Sequence, residues 1–482
     1  MSKTVCRWLW VLTLLAGAAL AHVGSPDVYY EGEAGPYHLL VTVRPPAMIP
    51  GVAEVEVQAT SGNVIRISIV PVYVTGKDQG YPPAPDVMQA VAGSPQSFTG
   101  KVWLMESGSW QVRATVDGAQ GTGNLAVPVA AFARRTLPMQ KTLGGLLFGL
   151  MIFLAVGMVS IAWAAAREGS LEPGAAPESR NFRAGRIAFI VSTVLVVGIL
   201  LLGNSWWNSE ASTQKQDMLY KAPPLEAWLE DGQHLVLQME SSYWHERRKN
   251  AWSMKLIPDH GHLMHLFLLR MPAMDRFYHL HPDEVRDQTF ALNLPAMDAG
   301  HYKIFADVVR ETGFPDTMVS DIDLPQIAGQ PPSGDDSEVS ATAFSGASTQ
   351  VSPLPHGGRM VWEQDSSPLA IGKLTWFRFK VEDKDGKPVS DLEPYMGMAG
   401  HAVFVRSDES VFAHIHPAGS VPMAALAVAQ SDSAMKHDMA TMMSPEVSFP
   451  YGFPRAGNYR LFVQVKRGEK IETGVFDTRV GP

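Results

Sequence analysis

LIPDHGHLMHLFLLRMPAMDRFYHLHP (residues 256–282) and LEPYMGMAGHAVFVRSDESVFAHIHP (residues 392–417) are two copies of one pattern in a chain of 482 residues. Pro258 stands seven positions before His265 and Pro394 seven before His401, so the copies align without a gap up to those histidines. Beyond them each copy carries an Asp (Asp275, Asp408), a Phe (Phe277, Phe412) and a His-x-His-Pro (His279, His281, Pro282; His414, His416, Pro417). A closing segment follows in each, LPAMDAGHYKIFADV (residues 294–308) and FPRAGNYRLFVQV (residues 453–465), with Gly-x-Tyr leading into apolar residues. The duplication implies one supersecondary unit used twice, and short β-branched and aromatic runs between Gly and Pro punctuation make that unit a β module.

A strand alternates its side chains between two faces, so the histidines of each His-x-His point the same way and offer two nitrogens side by side. His265 lies 14 residues before His279 and His401 lies 13 before His414, separations that suit a hairpin returning a third imidazole to the pair. His265, His279 and His281 are therefore expected to hold one metal ion, and His401, His414 and His416 a second. Asp307 and Gln464 hold equivalent places in the closing strands as candidate fourth ligands, to which the first repeat adds Asp259, His260 and His262 of its DHGH run. The competing reading is that a His-x-His-Pro only ends a strand, since proline lacks the donor a ladder needs.

Imidazole donors suit copper, zinc or nickel, with copper(II) highest in the affinity order, so copper is the first expectation and zinc the second. The second copy is about 22 residues longer between its Pro417 and Tyr459, and that insertion (residues 418–445) carries Met423, Met435, His437, Met439, Met442 and Met443. Thioether sulfur is soft and favours copper(I). The bland alternative is an Ala/Ser/Met loop with no ligand.

Residues 1–21 read as a signal peptide: Lys3 and Arg7 precede an apolar run from Trp8 to Leu20, closed by Ala19-Leu20-Ala21. The run is too short for a hydrocarbon core of roughly 30 Å. Cleavage there makes His22 the first residue, whose amine and imidazole would chelate copper(II) together with His38. Cys6 is the only cysteine and lies inside the leader, which excludes disulfides, thiolate zinc sites and iron–sulfur clusters from the mature chain. A net charge of −9 without a long basic run argues against nucleic acid as a partner.

Two further apolar runs are long enough to span a bilayer, 141–166 and 187–207. The loop between them, 167–186, carries Arg167, Arg180, Arg183 and Arg186, which assigns it to the cytoplasm. The signal peptide then puts residues 22–140 outside, and two crossings return everything after Trp206 and Trp207 outside as well. The expected order is an extracytoplasmic β-sandwich at 22–140, the two helices, a β module at 215–326, a linker at 327–348 rich in Gly, Pro, Ser and Asp, and a β module at 349–482. The location is a bacterial cytoplasmic membrane with both folded ends periplasmic, and the lipid bilayer is the first partner. The fold class is mainly β, three small immunoglobulin-like sandwiches plus two transmembrane helices.

HVGSPDVYYEGEAGPYHLLVTV (residues 22–43) with GSWQVRATV (residues 108–116) resembles the YtkA-like and FixH-like group of small extracytoplasmic immunoglobulin-like modules. The repeats, through MHLFLLR with FYHLHP and GHAVFVR with FAHIHP, resemble secreted modules described as copper or other metal binders. The resemblance implies a β-sandwich for each module and a role in metal handling carried by the six repeat histidines. The family's role in oxidase assembly or metal resistance does not transfer directly to this fused arrangement, and another envelope metal-handling or oxidase-assembly protein is a separate expectation for a partner. The functional expectation is copper sequestration, sensing or delivery without turnover. A structural or protein-binding envelope module without metal is the alternative, and a copper oxygenase built on His22 a minor one. No Gly-x-Ser-x-Gly turn, Walker loop or His-Glu-x-x-His helix is found.

Overall fold

The computed structural model describes residues 26–75, 82–240, 255–364, 367–430 and 444–482. Its architecture is mainly β: antiparallel sheets grouped two by two into three sandwiches, with two long apolar helices between the first and the second. In the first sandwich, one sheet contains Val28–Ala34, Tyr37–Arg44, Gly51–Ala59 and Ser97–Leu104, and the facing sheet contains Val64–Tyr73, Gly108–Gly118 and Gly121–Ala131. GVAEVEVQA of Gly51–Ala59 buries every second residue and exposes its glutamates, the pattern of a strand with one face on a core and one in water.

The repeat strands follow a different rule. HLFLLRM of His265–Met271 is buried almost throughout, as is HAVFVR of His401–Arg406. Leu266 and Leu268 point into the first module's own core, while Phe267, Leu269 and Met271 point the other way. In the second module Ala402 and Phe404 face inward, and Val403 and Val405 face outward. The outward faces meet each other. A shared apolar cluster joins the modules, with Phe277 stacked on Phe462 at 4.1 Å and Phe305 stacked on Phe412 at 4.3 Å. Phe277 is the repeat counterpart of Phe412, and Phe305 of Phe462, so the two stacks are one contact made twice about an approximate two-fold axis.

The first sandwich joins the second repeat through strand Val28–Ala34. Tyr29 is buried in the core of the last module, Glu31 N–H donates to the Ala418 carbonyl, and Ser420 N–H donates to the Tyr29 carbonyl. This contact grips the turn that follows His416.

The helices Lys141–Glu168 and Ser179–Met218 are each long and apolar enough to cross a membrane. Both exceed the expected spans of 141–166 and 187–207, because an apolar run marks the part that lipid would cover, not where backbone hydrogen bonding stops. The second helix begins at Ser179, inside the loop expected at 167–186, with a capping box between Glu178 and Asn181. The helices pack closely where Gly185 meets Trp163: a Cβ there would lie 3.1 Å from the indole nitrogen. The stretch 327–348 is also more than a linker. Its Ser337–Ser340 strand pairs with Arg276–Leu280 and completes the first repeat's sheet, a placement that its Ser/Asp/Gly composition hides. Inside the 418–445 insertion, Met423–Ala429 forms a short helix, whereas Met435, His437, Met439, Met442 and Met443 lie outside the described residues.

Candidate metal centre

Along each outward face the aromatic end gives way to histidine. His265 pairs in register with Asp307, and Phe267 with His279 on the neighbouring strand, which sets His265, His279 and His281 around one point. His265 Nδ1 lies 3.1 Å from His279 Nε2 and 3.2 Å from His281 Nε2. The opposite nitrogen of each ring faces an acceptor: His265 Nε2 the Asp259 carbonyl at 3.1 Å, His279 Nδ1 the Gln464 Oε1 at 2.9 Å, and His281 Nδ1 the Asp336 Oδ1 at 2.9 Å. A neutral imidazole has one N–H. With that hydrogen donated outward on all three rings, three lone pairs converge with none to bridge them. Metal–imidazole bonds of roughly 2.0–2.1 Å in tetrahedral geometry place ligand nitrogens about 3.3 Å apart, close to what is seen.

The ring centroids of His265, His279 and His281 stand 5.4, 5.0 and 4.6 Å apart, and those of His401, His414 and His416 repeat the triangle at 5.5, 5.1 and 4.7 Å. The nitrogens that converge there belong to His260, His401 and His416, all within 4.8 Å. His260 crosses from the first repeat and puts its ring 5.0 Å from both His401 and His416. It is aimed by a tight turn: Asp259 and His262 exchange backbone hydrogen bonds, and His260 and Gly261 between them take φ values of 52° and 89°. Both central residues at positive φ make a turn of the primed type, which a glycine at the second position favours. His260 Nδ1 donates to the Met396 carbonyl at 2.9 Å and His416 Nδ1 to the Val421 carbonyl at 3.2 Å, leaving their Nε2 atoms inward. Those two atoms, His414 Nε2 and both nitrogens of His401 are buried without a hydrogen-bond partner among the described residues.

The expected fourth ligands serve the opposite repeat. Gln464 accepts from His279, and Asp307 Oδ2 lies 3.4 Å from His414 Nδ1. Each reaches a ring nitrogen across the module boundary, Gln464 by a hydrogen bond and Asp307 by a carboxylate contact, the place an orienting partner would take beside a ligating histidine. His38 is away from this chamber: its Nδ1 meets Thr60 Oγ1 at 2.8 Å on the first sandwich. His22 lies outside the described residues.

Burial, with the neighbouring imidazoles second, holds His265, His279, His401 and His414 well below the usual histidine range, and burial pulls His416 down to about 3. The rings are neutral at pH 7 and carry the lone pairs a metal needs. Loss of water pushes the Asp307 carboxyl up to about 7. A cavity of about 140 Å³ touches Asp307, His265, His414 and His416, with Val28 and Phe132 of the first sandwich on its other side. The arrangement can take up soft-to-borderline cations through nitrogen.

Residues 356–481, which hold the second repeat, match a family described as a domain of unknown function, DUF8832. No curated protein matches the chain. Among experimentally determined structures, an engineered protein matches at 20% identity over 20% of this chain with a TM-score of 0.16, and the chain spans about a fifth (21%) of its length. The four-domain ectodomain fragment of ICAM-5 matches at 8% identity over 92% of this chain and 77% of its own, TM-score 0.16. A protein described as membrane anchored from Corynebacterium diphtheriae matches at 8% identity over 95% and 96%, TM-score 0.15. TM-scores of this size fall short of a common fold.

Proposed function

We propose that this chain is a membrane-anchored envelope protein that binds two transition-metal ions, copper first and zinc second, between its two histidine repeats, for sequestration, sensing or delivery without turnover. One ion belongs to His265, His279 and His281, the other to His260, His401 and His416 with His414 beside them. The observation that carries this reading is the first triad, three buried imidazoles whose outer nitrogens are anchored to acceptors while their inner nitrogens converge at 3.1–3.2 Å. Without a cation, converging lone pairs in a water-poor chamber repel one another and stay unsatisfied, at about 1–3 kcal/mol for each buried group. An all-imidazole donor set favours copper or zinc over magnesium or calcium, which take oxygen. The signal-like leader and the two apolar helices support an extracytoplasmic placement of the repeats.

The test uses the full chain in detergent micelles, stripped of metal and titrated with copper(I), copper(II) and zinc(II). Two ions per chain are expected, falling to one in H279A/H281A and to one in H401A/H416A. A stripped wild type that takes up none of the three ions would leave the histidines as strand ends inside a metal-free interaction module.

A further inference from the structure

Among the described residues around the chamber, His260, His265, His279, His281, His401, His414 and His416 have almost wholly buried side chains, and an ion that leaves its hydration shell needs a partial ligand set on the way in. His262 differs from the rest. Its side chain is 30% exposed, its ring stacks on His281 at 3.9 Å between centroids with 27° between planes, and its Nε2 lies 3.2 Å from Asp335 Oδ2. Asp335 itself is 36% exposed. The next residue, Asp336, accepts from both the backbone N–H and the ring Nδ1 of His281. Two consecutive aspartates at the head of the Ser337–Ser340 strand thus hold an outer and an inner histidine in contact, one pair at the surface and one at the triad.

Resting on the two-ion reading above, we propose that His262 and Asp335 form the loading station of the chamber, where a divalent transition-metal ion is held by one imidazole nitrogen and one carboxylate oxygen before it passes to His281 and the triad. With the ring hydrogen of His262 on Nδ1, its Nε2 lone pair and the Asp335 carboxylate oxygen 3.2 Å away face one another, and an ion between them meets both donors at once without displacing a proton from the neutral ring. The stacked rings put the next donor, His281, within one side chain's reach, so ligands exchange one at a time and the ion is never bare. The negative charge of Asp335 and Asp336 raises the local cation concentration at the mouth. His262 is not a member of either converging set, and it sits on the turn that aims His260. Its role is therefore in the rate of filling and emptying, not in the final coordination.

The competing route is the cavity beside Asp307 and His414. The experiment follows copper(II) alone, binding to stripped full-length protein in micelles by stopped-flow tryptophan quenching, and copper loss to excess EDTA. H262F keeps an aromatic ring against His281 without a donor, D335N keeps the shape without the charge, and A425L narrows the cavity. Expected are association and dissociation both at least tenfold slower in H262F and at least threefold slower in D335N, with two ions per chain, an equilibrium Kd within twofold of wild type, and A425L unchanged. Unchanged rates in H262F and D335N would overturn the proposal, as would loss of an ion or a tenfold weaker Kd in H262F, which would make His262 a resident ligand. Slowing in A425L alone would move the route to the cavity. If the wild type itself binds no copper, the two-ion reading fails first and is recognised by that result.

Discussion

His401 shows what a buried imidazole proposed as a metal ligand costs the metal-free protein. Both of its ring nitrogens are buried without a hydrogen-bond partner among the described residues, and Tyr395, His260, His414 and His416 surround it with rings at 5.0–5.5 Å. His401→Leu removes two unsatisfied polar atoms at similar volume, so the metal-free protein is expected to gain about 1–3 kcal/mol, seen as a higher melting temperature, while binding one ion fewer. A metal-free variant that melts lower would mean the ring has a partner after all. The same burial dictates a pH response. His265, His279, His401, His414 and His416 have folded pKa values below the ordinary 6.5 that they regain on unfolding. Above 6.5 neither state is protonated and stability is full. As the pH falls below 6.5 the unfolded chain binds protons that the folded chain refuses, so each ring removes up to about 1.4 kcal/mol per pH unit until its folded pKa is reached. The Asp307 carboxyl, raised to about 7, works the other way, gaining stability as the pH falls through that value, but five rings outweigh one carboxyl. The urea midpoint of the stripped protein is therefore expected to be lower at pH 5.5 than at pH 7.5, and a flat profile would deny that the rings are buried neutral.

At the scale of elements, the repeat strands His265–Met271 and His401–Arg406 are positioned by being apolar on both faces, and the turn at His260 and Gly261 by its positive φ. Gly261→Val places a β-branched residue at φ 89°, at a cost of about 1–2 kcal/mol, and misaims His260. Loss of the His260, His401 and His416 ion with retention of the other is expected, read by stoichiometry; loss of both would place the turn in the support of the whole chamber. Asp336→Ala frees the ring and backbone of His281 together. Affinity at the first triad is expected to fall 10–100-fold, the usual effect of removing an orienting partner, with the second site unchanged by titration. How much of this could be read beforehand differs by element. The His-x-His strand ends and the hairpin to His265 follow from alternation and spacing. The strand Ser337–Ser340 does not, because four residues with Ser and Glu carry no periodicity, and only the exposed edge of Arg276–Leu280 calls for them.

For the whole molecule the shared aromatic cluster is expected to make the two repeats one thermodynamic unit. Phe462→Ala breaks the stack on Phe277 from the second module and should cost about 3–5 kcal/mol. Differential scanning calorimetry is expected to show both repeats melting together at a lower temperature; separate transitions would show that each repeat holds without the other. Each ion at a hundredfold excess over its Kd adds about 2.7 kcal/mol to the folded side. Because the chamber draws on both repeats, amide exchange in both is expected to slow when copper is added, and slowing in one alone would contradict a shared centre.

The chain's own order of residues determined the duplicated β modules, the two apolar helices and the six repeat histidines, since each of those signals is local: alternation along a strand, length of an apolar run, spacing to a proline. Only the tertiary structure decided which histidines meet. His260 joins His401 and His416, Gln464 serves His279, and Asp307 serves His414, because the outward faces of two sheets pack about an approximate two-fold axis. That packing follows from Phe267, Phe277, Phe305, Phe412 and Phe462 burying against one another, contacts between residues far apart in sequence whose partner no local pattern names. The continuous apolar run of HLFLLRM and HAVFVR already tells of strands covered on both sides; what covers them is a property of the folded pair.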